Sequence, residues 1–240
     1  MLSAFLWGFL ASAALLVGAA IAYVFRPSLR VNGVVLALGS GVLIGAVSYE
    51  LVEQALQVQS LLLVALFLLI GSGVYVVGVR LLASRGVQHR KNPGGRQVDA
   101  QSQAIVLGSV LDGIPESFVL GLTVLTGGVS VPFFAGVLLS NLPEGMASTS
   151  GLAAAGWGRA KVFGLWFVVA VVSGMSSLAG YVLLDGDGAN AAGLAQAFAA
   201  GALLTMIADT MLPEAYEIER VWTGALVVVG FAGAVALGAL

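Results

Sequence analysis

Apolar residues run through this chain in stretches of 20 or so, with short interruptions rich in Gly, Pro, Asp, Arg and Gln. A helix needs roughly 20 apolar residues to cross the ~30 Å hydrocarbon core of a bilayer. Runs of that length without strict alternation predict helices rather than strands. Eight are predicted, at about 3–25, 33–56, 61–83, 101–125, 132–154, 160–184, 191–214 and 220–239. The breaks between them carry residues that end helices: Arg26-Pro27, Gln57 to Ser60, Gly127-Gly128 before Pro132, Gly156 to Arg159, Asp185-Gly186-Asp187, and Glu217 to Arg220. One connection is long, a basic loop over 84–99. The expected fold is an all-α polytopic membrane protein, one transmembrane domain over residues 1–240.

Composition agrees with lipid as the solvent. Apolar residues make up 59% and charged residues 9%, and mean hydropathy is +1.03, which would leave a soluble domain with a hydrocarbon surface. A net charge of −2 offers no footprint for nucleic acid. The absence of cysteine excludes a disulfide framework, a thiolate metal site and a Cys nucleophile. The first cation is Arg26, so the opening apolar stretch lacks a basic leader and reads as a retained helix.

Lys and Arg resist translocation and mark the cytoplasmic side. With the N-terminus outside, the inner connections hold all ten basic residues: Arg26, Arg30, Arg80, Arg85, Arg90, Lys91, Arg96, Arg159, Lys161 and Arg220. The outer connections hold Glu53, Asp185 and Asp187 instead. Both termini are therefore expected outside. The loop cations are expected to set topology and meet anionic lipid, with His89 a solvated neighbour of Arg90 and Lys91. Compactness and the lack of targeting segments suggest a plasma (inner) membrane.

Two internal echoes stand out. The fourth helix reads Gly108-Ser-Val-Leu-Asp-Gly-Ile-Pro115-Glu116 and the fifth Gly136-Val-Leu-Leu-Ser-Asn-Leu-Pro143-Glu144, one pattern displaced by 28 residues. The second helix, from Gly41 through Tyr49-Glu50 to Ala55, matches the seventh, from Gly201 through Asp209 to Pro213-Glu214-Ala215. The chain reads as three helices, a central two and three inverted ones, the kind of inversion that builds a transport site at the midplane.

Asp112 and Glu116 share one helix face, as do Ser140 and Glu144. Each proline removes a backbone donor, leaving the carbonyls of Leu111 and Leu139 open to a cation or water; lipid tolerates this only where the break is buried in protein or lines a cavity. No Lys, Arg or His lies between Arg96 and Arg159. An ionised carboxylate at the bilayer centre costs about 2.5–3.5 kcal/mol on the lenient scale, so these acids require protons or a bound cation. Oxygen donors suit Mg²⁺, Mn²⁺ or Fe²⁺ at least as well as Zn²⁺. Asn141 reads equally as a ligand or as a hydrogen bond between helices.

Glu50 and Glu53, near the outer end of the second helix, and Asp209 and Glu214, near the inner end of the seventh, suggest an entrance and an exit. Asp209 lies deeper; Glu53 and Glu214 read rather as solvated interfacial residues. The small residues around Gly71, Gly73 and Gly78 read as close helix packing. No nucleotide loop, nucleophile elbow or zinc-protease motif is present, so the expectation is a transporter and not an enzyme. Other readings of the same acids are a proton-linked exchanger, an intramembrane acid/base enzyme, and an assembly subunit.

At the paired Pro-Glu motifs the sequence resembles the ZIP (Zrt/Irt-like) family of divalent metal transporters. Asp112-Gly-Ile-Pro-Glu116 stands where the family has H-N-x-P-E, and Ser140-Asn-Leu-Pro-Glu144-Gly where it has a polar pair before P-E. The stretch Phe198-Ala-Ala-Gly-Ala to Asp209-Thr-Met-Leu-Pro-Glu214-Ala is similar to its seventh helix. The resemblance implies eight helices in a 3+2+3 plan and inward movement of Zn²⁺, Mn²⁺, Fe²⁺ or a similar ion by alternating access. It also implies a homodimer and no prosthetic group, the metal being the transported substrate. Glu116 and Glu144 carry over directly as metal ligands. Asp112 stands for the usual His, Gly113 for the usual Asn, and Ser140-Asn141 occupy the two polar positions. Ser177 falls where many relatives carry a Glu on the sixth helix.

Overall fold

The computed structural model describes residues 1–25, 28–82, 99–183 and 188–238; over 99–112 it describes the backbone and, of the side chains, that of Ser109. Every element among the described residues is helical. In chain order they are α1 (Leu2–Val24), α2 (Leu29–Val58), α3 (Leu61–Leu82), α4 (Asp99–Thr126), α5 (Val131–Ala154), α6 (Arg159–Val182), α7 (188–219) and α8 (Thr223–Gly238). By length and composition five stretches could cross a membrane: α1, α2, residues 61–81 of α3, α6, and the run 188–238 that holds α7 and α8. That last run is broken at Arg220, whose φ is 51°, and a single 3₁₀ turn, Arg220–Trp222, restarts it. In α5 the polar residues Ser140, Asn141, Glu144, Ser148 and Thr149 dilute the apolar content, and all five are buried. The basic loop with His89, and Asp185 and Asp187, lie outside the described residues.

Local chemistry sets the helix ends. Ser28 caps α2 by accepting from the Val31 amide (3.4 Å), which starts that helix at 29 rather than at the predicted 33. Ser130 caps α5 in the same way, accepting from Phe133 N–H (3.2 Å), and Pro132 sits in the first turn, where its missing N–H costs nothing. Gly156, at φ 86°, supplies the left-handed residue that closes α5 after Ala155.

Helices α1, α4, α5 and α6 pack on one another; α2 pairs with α8 and rests on α5, while α3 pairs with α7, which rests on α4. The pairings depend on glycines at the crossings. A methyl group at Gly18 would strike the Leu142 carbonyl oxygen, at Gly121 that of Ser177, and at Gly180 that of Phe118. Between lipid-solvated helices such backbone approach is a main source of packing energy. Outward-facing apolar side chains such as Leu62, Leu69, Phe167 and Val228 stay exposed on the bundle, as expected of a surface that faces hydrocarbon.

The contacts of α2 and α7 recur with a shift of 160 positions. A methyl at Gly33 would meet Ile218 and Glu219; one at Gly193 would meet Val58 and Gln59. Arg30 Nε donates to Glu219 Oε1 (3.2 Å), and Gln59 Nε2 donates to the Asn190 carbonyl (2.9 Å). Both helices also leave α geometry at matching places, in the π segments Val47–Val52 and Ile207–Met211.

Basic side chains at one end of the bundle have aromatic or acidic partners. Arg159, at the start of α6, lies over the ring of Tyr23 near the end of α1 (5.1 Å to the centroid), and Arg30 pairs with Glu219.

Candidate functional site

Pro115 and Pro143 lie inside α4 and α5, and the glutamates next to them in the chain converge. Glu116 is 2% exposed and Glu144 8%. Ser140, one turn before Glu144, places its hydroxyl 3.4 Å from Glu116 Oε1 and 3.0 Å from the Val137 carbonyl. The hydroxyl thus donates toward both the Glu116 carboxylate and the Val137 carbonyl, its single proton shared between them. The Leu139 carbonyl, deprived of its helical donor by Pro143, packs against the backbone at Gly39 of α2.

Glu116, Ser140 and Glu144 line a small cavity of about 20 Å³, closed on the other side by Leu36, Met206, Thr210, Met211 and Glu214. One water needs roughly 10–15 Å³, so the cavity has the size of a single water or a bare ion. Its donors are carboxylate and hydroxyl oxygens, the set that hard divalent cations prefer. Among the described residues no three His, Asp or Glu side chains approach closely enough to hold one ion together. Asp112 is on α4, one turn before Glu116, and its side chain lies outside the described residues.

Two predicted residues are engaged in helix packing. Asn141 donates from Nδ2 to the Ala11 carbonyl (3.3 Å), a bond between helices. Ser177, fully buried, donates from Oγ to the Ala4 carbonyl (2.6 Å), where α1 and α6 cross.

The structure reverses the ranking of the two acids on α7. Asp209 is exposed, and Glu214 lines the carboxylate cavity. The π segment Ile207–Met211 accounts for this: one extra residue in a turn rotates the C-terminal remainder of the helix by about 100° relative to an unbroken α-helix. It also carries α7 on to residue 219, past the predicted end at 214.

Glu50 is half-buried and Glu53 exposed, and both border an open cavity of about 320 Å³ with Tyr49, Gln54 and Gln57. Glu50 lies beside the Ser130 hydroxyl and accepts from Gln54 Nε2 (3.2 Å). Gln54 in turn accepts from Gln196 Nε2 (2.8 Å). A larger chamber of about 690 Å³ adjoins, lined by Gln54, Gln57, Thr126, Ala192 and Gln196. These glutamines were not among the expected site residues, although Gln196 is an amide in a run of Ala and Gly and could have been found as a polar residue at membrane depth.

The sequence matches no protein-family model, and no curated protein is similar to it.

Proposed function

We propose that the chain moves a divalent cation across a membrane through the cavity between α4 and α5. The observation that carries this reading is the convergence of Glu116, Ser140 and Glu144, from two proline-broken helices, on one ion-sized cavity. Two carboxylates and a hydroxyl at this depth are costly without a cation or protons, and the spans around them supply oxygen donors but no Lys, Arg or His between 97 and 158. Asp112, one turn before Glu116, completes the ligand set in this proposal. The oxygen donors suit Mn²⁺ or Fe²⁺ at least as well as Zn²⁺, and the resemblance to ZIP transporters at the two Pro-Glu motifs points to these ions as the cargo.

The wider architecture belongs to the same proposal. All eight helices span the bilayer in a 3+2+3 plan with α1–α3 and α6–α8 as inverted repeats, a reading supported by the contacts that recur 160 positions apart. The basic end of the bundle faces the cytoplasm and both termini lie outside. Solvent reaches the site by alternating access. The protein is a homodimer in the plasma membrane and performs no covalent chemistry. Protons compete with metal for the carboxylates, so transport weakens as the medium becomes acidic.

The test is influx into liposomes loaded with a metal-sensitive dye, comparing Zn²⁺, Mn²⁺, Fe²⁺, Cd²⁺ and Mg²⁺, with internal pH recorded in parallel. Saturable entry of at least one ion is expected. Proton movement that needs no divalent ion would replace this reading with the proton-linked exchanger.

A further inference from the structure

The carboxylate cavity and the large chamber have corresponding walls. A shift of 160 positions carries Leu36, Thr210 and Glu214, which close the 20 Å³ cavity, onto Gln196, Glu50 and Gln54, which border the open cavities of about 690 and 320 Å³. Each wall is built from both α2 and α7, and each of these helices is interrupted by a π segment, Val47–Val52 in α2 and Ile207–Met211 in α7. A π segment breaks the regular i to i−4 ladder and is a place where a helix end can pivot. One wall is closed in the structure and its counterpart is open.

The two corresponding pairs differ in whether their side chains can bond each other. On the open side Gln196 donates to Gln54 (2.8 Å) and Gln54 donates to Glu50 (3.2 Å). Gln196 is only 3% exposed, and its bond to Gln54 is part-buried. The counterpart pair is Leu36 and Glu214, and leucine can neither donate nor accept.

We propose that these walls are the two gates of one pathway, and that the Gln54–Gln196 hydrogen bond is a latch holding the chamber gate open and the Glu214 gate shut. In the exchanged arrangement Gln54 and Gln196 stand over Glu116 and Glu144, where Glu214 and Leu36 stand now, and the bond between their amides is broken. Gln54 and Gln196 are positioning residues: they set which gate is open and touch no cargo in the present arrangement. The inference rests on the transport reading and adds the residues that bias its resting state.

The chain has no cysteine, so an introduced one is the only thiol target. Gln57→Cys reports the chamber and Thr210→Cys the closed wall, each in the full-length protein in liposomes, treated with a membrane-impermeant maleimide on either side and with no divalent ion present. The expected background is fast labelling at position 57 from the chamber side and slow labelling at 210. Replacing Gln196 by Leu, the residue at its counterpart position, should slow labelling at 57 and speed labelling at 210 from the opposite side, each by about threefold to tenfold, the worth of one hydrogen bond. Gln54→Leu should give the same shift, and the double replacement should add nothing further. Rates at 57 and 210 that move together, or do not move with either replacement, overturn the latch. Because no metal is present, that result leaves the transport reading standing, and failure of metal influx leaves the gate pairing to be judged on labelling alone.

Discussion

At the residue scale the central region is held by polar contacts that each need one specific atom. Asn141 ties α5 to α1 through the Ala11 carbonyl, and Trp166 ties α6 to α5 by donating from Nε1 to Thr149 Oγ1 (2.9 Å). Asn141→Ala should lower unfolding stability in detergent by about 1 kcal/mol, the scale of a hydrogen bond between membrane helices, and leave the half-saturating cation concentration unchanged. Thermal unfolding and flux on the same preparation check it; a raised half-saturation with unchanged stability would return Asn141 to the ligand set. The acids themselves are legible in the sequence to different degrees. Glu116, Ser140 and Glu144 emerge from helical spacing and the two Pro-Glu motifs, and the structure brings them to one cavity. Glu214 carries a third Pro-Glu motif, yet its role depends on a rotation that spacing assumes away, so counting residues along an ideal helix favours Asp209.

At the element scale the two π segments are what regular periodicity could not supply. A 3.6-residue repeat predicts where a helix runs and which face is apolar, but one inserted residue shifts that face only from the bulge onward. The helix ranges are therefore readable almost throughout, with errors at the ends: α2 starts at its Ser28 cap and α7 runs on to 219. Inserting one alanine after Ala208 adds a further residue to a turn that already carries an extra one, and should swing Glu214 by about 100° from Glu116 and Glu144. Flux should fall at least about tenfold while helix content by circular dichroism stays at the wild-type level, in keeping with the functional placement of such bulges. Flux that survives the insertion would remove Glu214 from the pathway.

At the scale of the whole molecule, the apolar run lengths are enough to identify a helical membrane protein. Among the described residues five stretches meet the length and composition needed to cross a bilayer. α5 escapes that test because its polar residues are turned inward, where buried contacts and the cavity receive them. The topology proposed from the basic residues is checked by tagging each terminus in intact cells: both tags should be reached by external protease, and protection of either one would contradict it. The central claim is that Glu116 and Glu144 jointly hold a divalent cation in transit. The most direct measurement is saturable influx of Zn²⁺ or Mn²⁺ into proteoliposomes carrying wild type, Glu116→Ala or Glu144→Ala at matched incorporation. Influx is expected in the wild type and lost in both variants, each of which still elutes as a folded protein; influx that persists in either variant at the wild-type rate would rule out a site shared by the two glutamates.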